Sequence, residues 1–507
     1  MFTVPTIGQT GWGEVLNAAL ENLDARLTQS AINVTDYDAA GDGATNDAPA
    51  IQAALNAAPM GGIVYLPPGV YGTLTPIRVP PYVTLLGSHG AGEVQPGAPA
   101  PVASVKPLAG FIGNAVIEVL DQQLGGYGIL SAQQRIERLT IDGSAVPGAT
   151  QVDGIRMTGQ IQAPIIRDVA IRDMTGGGVN TAYNLSAPPG PQAPFVVRLD
   201  RVTVMSPAGV GVALNNSTDS ILTDVYVLGG GSFGWFISGA GNSTLVACRA
   251  EWSNLDGFNI HIGNGNLRMV GCSSDRNNGH GITVNGNADS SLLMSTCTLT
   301  RDGRNFGGGG GNKAGLNVET ANCHVITDNL LVTTGADDDG VSGPQSPQYG
   351  VRMLNSAYLS LASGQVGGVT AAVQDAGGNT TLLRGASLKE ATGPSTAVVL
   401  DPAAFSRTTG AYSALSADLR IATAGKGLKV AEGSNAKMGT ATLTAGAATV
   451  STTAVTANSR IFLTSQSGTT NGGFLSVSTR TAGTSFAIAS SNASDARTVA
   501  WMIVEPA

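Results

Sequence analysis

The chain is poor in charge, aromatics and cysteine. Only 12% of its 507 residues are charged and 5% are aromatic, and the acidic surplus leaves a net charge of −8. Lysine and arginine form no cluster, which argues against nucleic acid as the main partner. No apolar run is long enough to span a bilayer, so membrane insertion is not expected. The start, Met1-Phe-Thr-Val-Pro-Thr-Ile-Gly, has no basic stretch leading into an apolar one. A Sec-type signal is therefore not expected; acting outside a cell would require lysis or carriage in an assembled particle. The cysteines, Cys248, Cys272, Cys297 and Cys323, are spaced 24, 25 and 26 apart. Those spacings fit no zinc pattern and point to reduced residues, at least the first three stacked in one core column.

What is abundant is glycine, 69 residues, beside an apolar content of 42%. This composition excludes disorder and suits a turn-dense all-β chain. A pattern of glycine, apolar, any residue, apolar recurs through the middle. It runs Gly154-Ile-Arg-Met, Gly178-Val-Asn-Thr, Gly211-Val-Ala-Leu, Gly234-Trp-Phe-Ile, Gly257-Phe-Asn-Ile, Gly281-Ile-Thr-Val, Gly315-Leu-Asn-Val and Gly350-Val-Arg-Met. The glycine spacings are 24, 33, 23, 23, 24, 34 and 35. The short ones define a coil and the long ones a coil plus a loop. A second short strand follows in each coil, centred on residues 202, 225, 248 and 272, with the same step. Alternation of period two in strands of about four residues excludes a helical solenoid. Such strands bury a face only by stacking coil on coil, so the repeat predicts a parallel β-solenoid. Asn254 and Asn278 fall on equivalent turns and suggest a side-chain amide ladder.

The segment before the repeat sharpens this. Val34-Thr-Asp-Tyr-Asp-Ala-Ala-Gly-Asp-Gly-Ala-Thr-Asn-Asp-Ala-Pro runs into Gly61-Gly-Ile-Val-Tyr-Leu-Pro-Pro-Gly-Val-Tyr71. It resembles the opening signature of the pectate-lyase-3-like superfamily of β-helix proteins, which includes many phage tailspikes. The resemblance implies a right-handed parallel β-helix over residues 31–400, with a helix capped by Asp47 closing its open end. Asp42 and Asp47 are read as structural. Residues 1–30 carry Val15, Leu16, Leu20, Leu23 and Leu27 on one helical stripe. They resemble N-terminal attachment segments of phage minor tail proteins; a helix packed on its own β-helix is the alternative. Residues 401–507 lose the coil pattern, and six short alternating strands read as a β-sandwich. This part resembles C-terminal domains of phage tail proteins that trimerise or bind a receptor.

β-Helix proteins of this superfamily commonly act on polysaccharides, so the carboxylates on the coil faces matter. Three residues past the stacked Cys248 and Cys272 stand Glu251 and Asp275. Neighbouring strands lie about 4.8 Å apart, which would bring the two carboxyls to the separation of a retaining glycosidase pair. Their mutual repulsion would split the pair into an acid and a base. By the same count Asp256 lies beneath His280 as further catalytic candidates, and Trp252 beneath Arg276 as substrate contacts: stacking on a sugar, holding a carboxylate. A solvated turn, in which these residues are merely neighbours, is the alternative.

Gly279-His-Gly281 and Asn254-Leu-Asp-Gly257 resemble two polygalacturonase elements. That family's intervening Asp-Asp and later Arg-any-Lys are missing, so the assignment is not supported. Asp337-Asp-Asp339 could ligate calcium for a lyase but lacks further spaced oxygen ligands, so no metal or cofactor is expected. Together these resemblances imply a homotrimeric phage tail protein. It would be held to the tail or baseplate by its N-terminal segment, bind host surface polysaccharide, and reside in the virion tail until released by lysis. A glycoside hydrolase or polysaccharide lyase, and a purely structural tail part, are the rivals.

Overall fold

The computed structural model describes residues 31–88, 102–146, 151–182, 192–263, 265–286, 290–304, 312–319, 324–336, 345–354, 358–375, 380–383, 387–390, 399–400, 430, 432–468 and 470–506. The helical stripe of residues 1–30, Cys323 and Asp337–Asp339 lie outside them. The chain forms two compact units, Met1–Ser413 and Ala414–Ala507.

The first unit is a right-handed parallel β-helix. Its opening helix, Ala48–Ala57, has Pro49 in its first turn and buries Ile51, Ala54 and Leu55 in the first coil. Asp47 precedes it without capping it by its side chain. The carboxylate instead accepts the N–H groups of Ala40 (2.7 Å) and Gly41 (3.2 Å), fixing the loop before the helix. Asp42 likewise takes the N–H groups of Ala44 and Thr45. Both acids are structural.

The glycine-led strands stack into one 11-stranded parallel sheet running from Ile77–Arg78 to Ala371–Asp375. The repeat glycine has a steric cause. A Cβ on Gly178, Gly211, Gly234, Gly257 or Gly281 would stand 2.6–2.7 Å from the carbonyl oxygen of the matching glycine one coil on. One apolar column, Ile155, Val179, Val212, Trp235, Phe258, Ile282, Leu316 and Val351, faces inward behind this sheet. Trp235 and Phe258 stack within it at 5.5 Å. Each such side chain contributes roughly 1.5–3 kcal/mol by leaving water.

The other two faces belong to one 24-stranded sheet. Ile165–Arg172, Arg198–Met205 and Ile221–Leu228 run across both faces, bending at Asp168, Arg201 and Asp224, each with φ of 51–53°. In the next coil the strand splits into Ser243–Val246 and Arg249–Glu251 around Ala247. The coil therefore has three strands, one more than the repeat revealed. Cys248, Cys272 and Cys297 are buried free thiols in one column, continuing Val202 and Val225.

In the second unit, two three-stranded antiparallel sheets form a sandwich. One holds Met438–Thr442, Thr498–Val504 and Arg460–Ser465; the other holds Ala447–Ser451, Ser485–Ser490 and Leu475–Thr481. Phe486 meets Trp501 edge-on at 5.3 Å in their core. Asp495, fully buried, pairs with Arg497 (2.9 Å) and accepts Ser490 Oγ (2.6 Å).

Candidate functional site

Glu251 and Asp275 are paired on adjacent strands, Arg249–Glu251 and Ser273–Asp275. Both are half-buried and point outward, since the intervening positions Ala250 and Ser274 are buried. Glu251 accepts the Tyr226 hydroxyl at 2.8 Å and pairs with Arg249, whose guanidinium lies 4.9 Å over the Tyr226 ring. Asp275 is forked by Arg301, through Nε at 2.9 Å and Nη2 at 2.5 Å, and also meets Arg276 at 3.1 Å. Burial raises the Asp275 pKa from the ordinary carboxylate value and Glu251 adds to it, while Arg301 and Arg276 oppose the shift.

Directly after these carboxylates, and after Thr300 in the same register one coil on, the chain turns a corner in the left-handed region. Trp252, Arg276 and Arg301 stand there with φ of 58°, 53° and 53°, in the position Gly229 fills one coil earlier. A side chain in that conformation costs roughly 1–2 kcal/mol. The same corner recurs on six successive coils, at Asp173, Ser206, Gly229, Trp252, Arg276 and Arg301, so the architecture rather than chemistry explains it. The Trp252 ring carries the guanidiniums of Arg276 at 5.1 Å and Arg304 at 4.4 Å. The indole is thus held by two arginines.

Asp256 and His280 have different work. Asp256 is buried; its Oδ1 accepts the His280 N–H one coil on (2.8 Å) and its Oδ2 the Asn259 amide (3.0 Å). Asp153 does the same four coils earlier, taking the Gly177 N–H (2.6 Å) and the Asn180 amide (3.0 Å). Both precede a repeat glycine, and the carboxylate ties one coil to the next. His280 Nδ1 accepts the Ala314 N–H at 3.0 Å. Burial lowers the His280 pKa to about 4, with Asp256 opposing and Lys313 and Arg352 assisting. A neutral ring whose lone pair is already engaged cannot take a proton from substrate. In this geometry Asp256 and His280 both hold neighbouring coils together.

The amide ladder is also displaced. Asn254 donates to Gly231 O (3.1 Å) and Asn278 accepts Arg304 Nε (3.0 Å), while the amide buried between coils is Asn277. Tyr226, Arg249 and Arg301 complete the strip and were missed from sequence. The coil step would have found Arg301, 25 residues past Arg276. Two further surface features lie elsewhere. A groove of about 510 Å³ is bordered by Gln52, Arg78, Ile112 and Tyr127, and a polar pocket of about 60 Å³ by Asp121, Gln123, Gln160 and Gln192. Among the described residues no three His, Cys, Asp or Glu side chains gather as a metal site, and no helix is long and apolar enough to cross a membrane.

Comparison with known proteins places this geometry in context. Residues 31–249 match the family model for rhamnogalacturonase A/epimerase, pectate lyase-like; residues 196–331 match the right-handed beta helix region. Residues 435–504 match the C-terminal domain of K1 capsule-specific polysaccharide lyase. Mannuronan C5-epimerase AlgE1 of Azotobacter vinelandii is 34% identical over 165 residues, 29% of this chain and 11% of that protein. Alginate lyase 7 of the same organism is 36% identical over 132 residues, 24% of this chain and 14% of that one. This chain thus spans only a small part of the curated relatives it matches. The gp42 tailspike of Acinetobacter phage vb_AbaP_AS12 shares the fold with a TM-score of 0.51 and 13% identity, over 94% of this chain and 82% of that one. By its stacked coils the chain is a right-handed parallel β-helix protein, and its first coils are similar to the pectate-lyase-like family model over residues 31–249.

Proposed function

We propose that this chain is a tailspike-like phage tail protein that binds host cell-surface polysaccharide along the strip of Glu251, Trp252, Asp275 and Arg276. The strip itself carries the reading. Rings, guanidiniums and carboxylates stand in register on stacked coils and are locked by ion pairs, so little freedom is lost on binding. Guanidinium forks and carboxylates suit the hydroxyls and acid groups of sugar units. The names of the matched relatives support it, since mannuronan, alginate, rhamnogalacturonan-type and K1 capsule chemistry all concern polysaccharides.

The assembly follows the same reading: a homotrimer in the virion tail, free outside the cell after lysis. Residues 1–30 would engage the tail or baseplate, and residues 401–507 would trimerise or bind a receptor. Adsorption of the purified chain to host cells, lost on Trp252→Ala and Arg276→Ala with the fold intact, tests it. Absence of any adsorption would sink the adhesin and favour a purely structural tail part.

A depolymerase is the second reading, and one observation favours it: Asp275 is pushed toward the acid form beside Glu251. New reducing ends, or absorbance of unsaturated uronate, from incubated host polysaccharide would establish it. Loss of that activity in both Glu251→Gln and Asp275→Asn would place the chemistry on this pair.

A further inference from the structure

Behind each corner residue of the strip, the next residue turns into the β-helix: Ser253 behind Trp252, Asn277 behind Arg276, Asp302 behind Arg301. All three are fully buried. Asn277 joins them. Its Oδ1 accepts the Ser253 N–H (2.8 Å), and its Nδ2 lies within donating distance of Ala250 O (3.1 Å), Ser274 Oγ (2.9 Å) and Asp302 Oδ1 (2.8 Å). Asp302 Oδ1 also accepts Ser274 Oγ (2.9 Å) and the Asn277 N–H (3.2 Å). Asp302 Oδ2 is buried without a hydrogen-bond partner among the described residues. It lies over Gly281, where an added Cβ would stand 2.4 Å from it.

With three donors on Oδ1 and none on Oδ2, a proton on this carboxyl belongs on Oδ2, leaving Oδ1 as the carbonyl. An ionised carboxylate spreads its charge over both oxygens and would leave half of it bare in the core. Among the described residues no cation pairs with it there. Arg301 and Arg276 turn outward onto Asp275, and Lys313 packs against Gly303. His280, just before Gly281, is kept neutral by burial.

We propose that Asp302 is a protonated acid at neutral pH and the positioning residue of the strip, holding Asn277 and through it the corners that present Trp252, Arg276 and Arg301. Its consequence for glycan binding rests on the strip being the binding surface; the protonation and the positioning do not. Burial pushes the Asp302 pKa up to about 8, with the bonds from Asn277 and Ser274 opposing and the charge of Asp275 assisting. The folded chain therefore keeps a proton that the unfolded chain has lost. Stability falls as pH rises from the ordinary carboxylate value, 3.8, to about 8, and levels off above it. Beyond that the folded chain itself ionises and the corners loosen.

The test uses the full chain, with Asp302→Asn as the neutral isostere. The melting midpoint of the variant should gain on wild type by several degrees between pH 5 and pH 8, and the gap should then stay level. A gap constant over that range overturns the proposal. Trp252 emission, taken as the difference from Trp252→Phe, should titrate near pH 8 in wild type and stay flat in Asp302→Asn. A flat profile in wild type overturns the positioning role. Should the variant fail to fold, the infrared spectrum of wild type at pH 7 decides: a protonated carboxyl band supports the proposal, and its absence overturns it. None of these arms uses a glycan, so failure of adsorption alone counts against the binding surface and not against Asp302.

Discussion

Glu251 and Asp275 are register partners on neighbouring coils, and different arginines hold them: Arg249 the first, Arg301 and Arg276 the second. The pairs are partly buried, with 13% and 18% of the two carboxylate side chains exposed. They fall between exposed pairs, worth about 0–1 kcal/mol, and buried ones, whose rupture costs about 3–5 kcal/mol. Arg301→Met should therefore destabilise the β-helix by roughly 1–2 kcal/mol in chemical denaturation, within those limits. Arg301→Lys should recover little, because lysine cannot fork a carboxylate. Full recovery by lysine would mean that charge alone matters at this corner.

The coil step placed Glu251 beside Asp275 correctly, because register in a solenoid follows from counting. It could not say where the side chains turn. Arg249 and Tyr226 compete for Glu251, and Arg301 for Asp275, through rotamers that no spacing encodes. The strand Ser243–Val246 went unseen because no glycine stands directly before it as Gly234 does before Trp235. Asp256 and His280 looked catalytic for the opposite reason: buried coil ties use the same residue types as active sites. A buried acid such as Asp302 leaves no mark in sequence, since an aspartate after a strand is ordinarily a solvated turn residue.

The repeat glycines are required by close approach and not by backbone conformation. Gly234→Ala would place a methyl 2.7 Å from Gly257 O, and backbone oxygen cannot step aside. A loss of about 1–3 kcal/mol is expected, as for other overpacked cores. Gly128→Ala, with nothing within 4 Å of the added carbon, is the control and should be near neutral. Thermal melts of the two variants at one scan rate check this; equal midpoints would remove the steric account of the repeat.

The cysteine column should be chemically silent. A hydrogen bond with Cys248 and burial push the Cys272 thiol up to about 12, and Cys272 and burial push Cys297 up as well. All three thiols are buried away from reagent, so the native chain at pH 8 should leave Cys248, Cys272 and Cys297 unalkylated, and denaturant should open all three. Peptide mapping after iodoacetamide reads each site separately. Cys248→Val repeats Val225 of the preceding coil and should cost less than about 1.5 kcal/mol.

His280 gives the acid side of the pH profile. Its folded pKa, about 4, lies below the ordinary 6.5, so between those values the unfolded chain binds the extra proton. Stability contributed by the neutral ring is complete above pH 6.5 and is lost as pH falls toward 4. By pH 4 the loss is roughly 3 kcal/mol, at 1.36 kcal/mol per pKa unit. His280→Asn keeps an acceptor for the Ala314 N–H but cannot titrate, so its melting midpoint should fall less steeply than wild type over this window. The same variant separates structure from chemistry. A ring that only ties coils can be replaced without loss of any depolymerising activity at neutral pH. A folded His280→Asn chain that had lost such activity would return the histidine to the catalytic candidates.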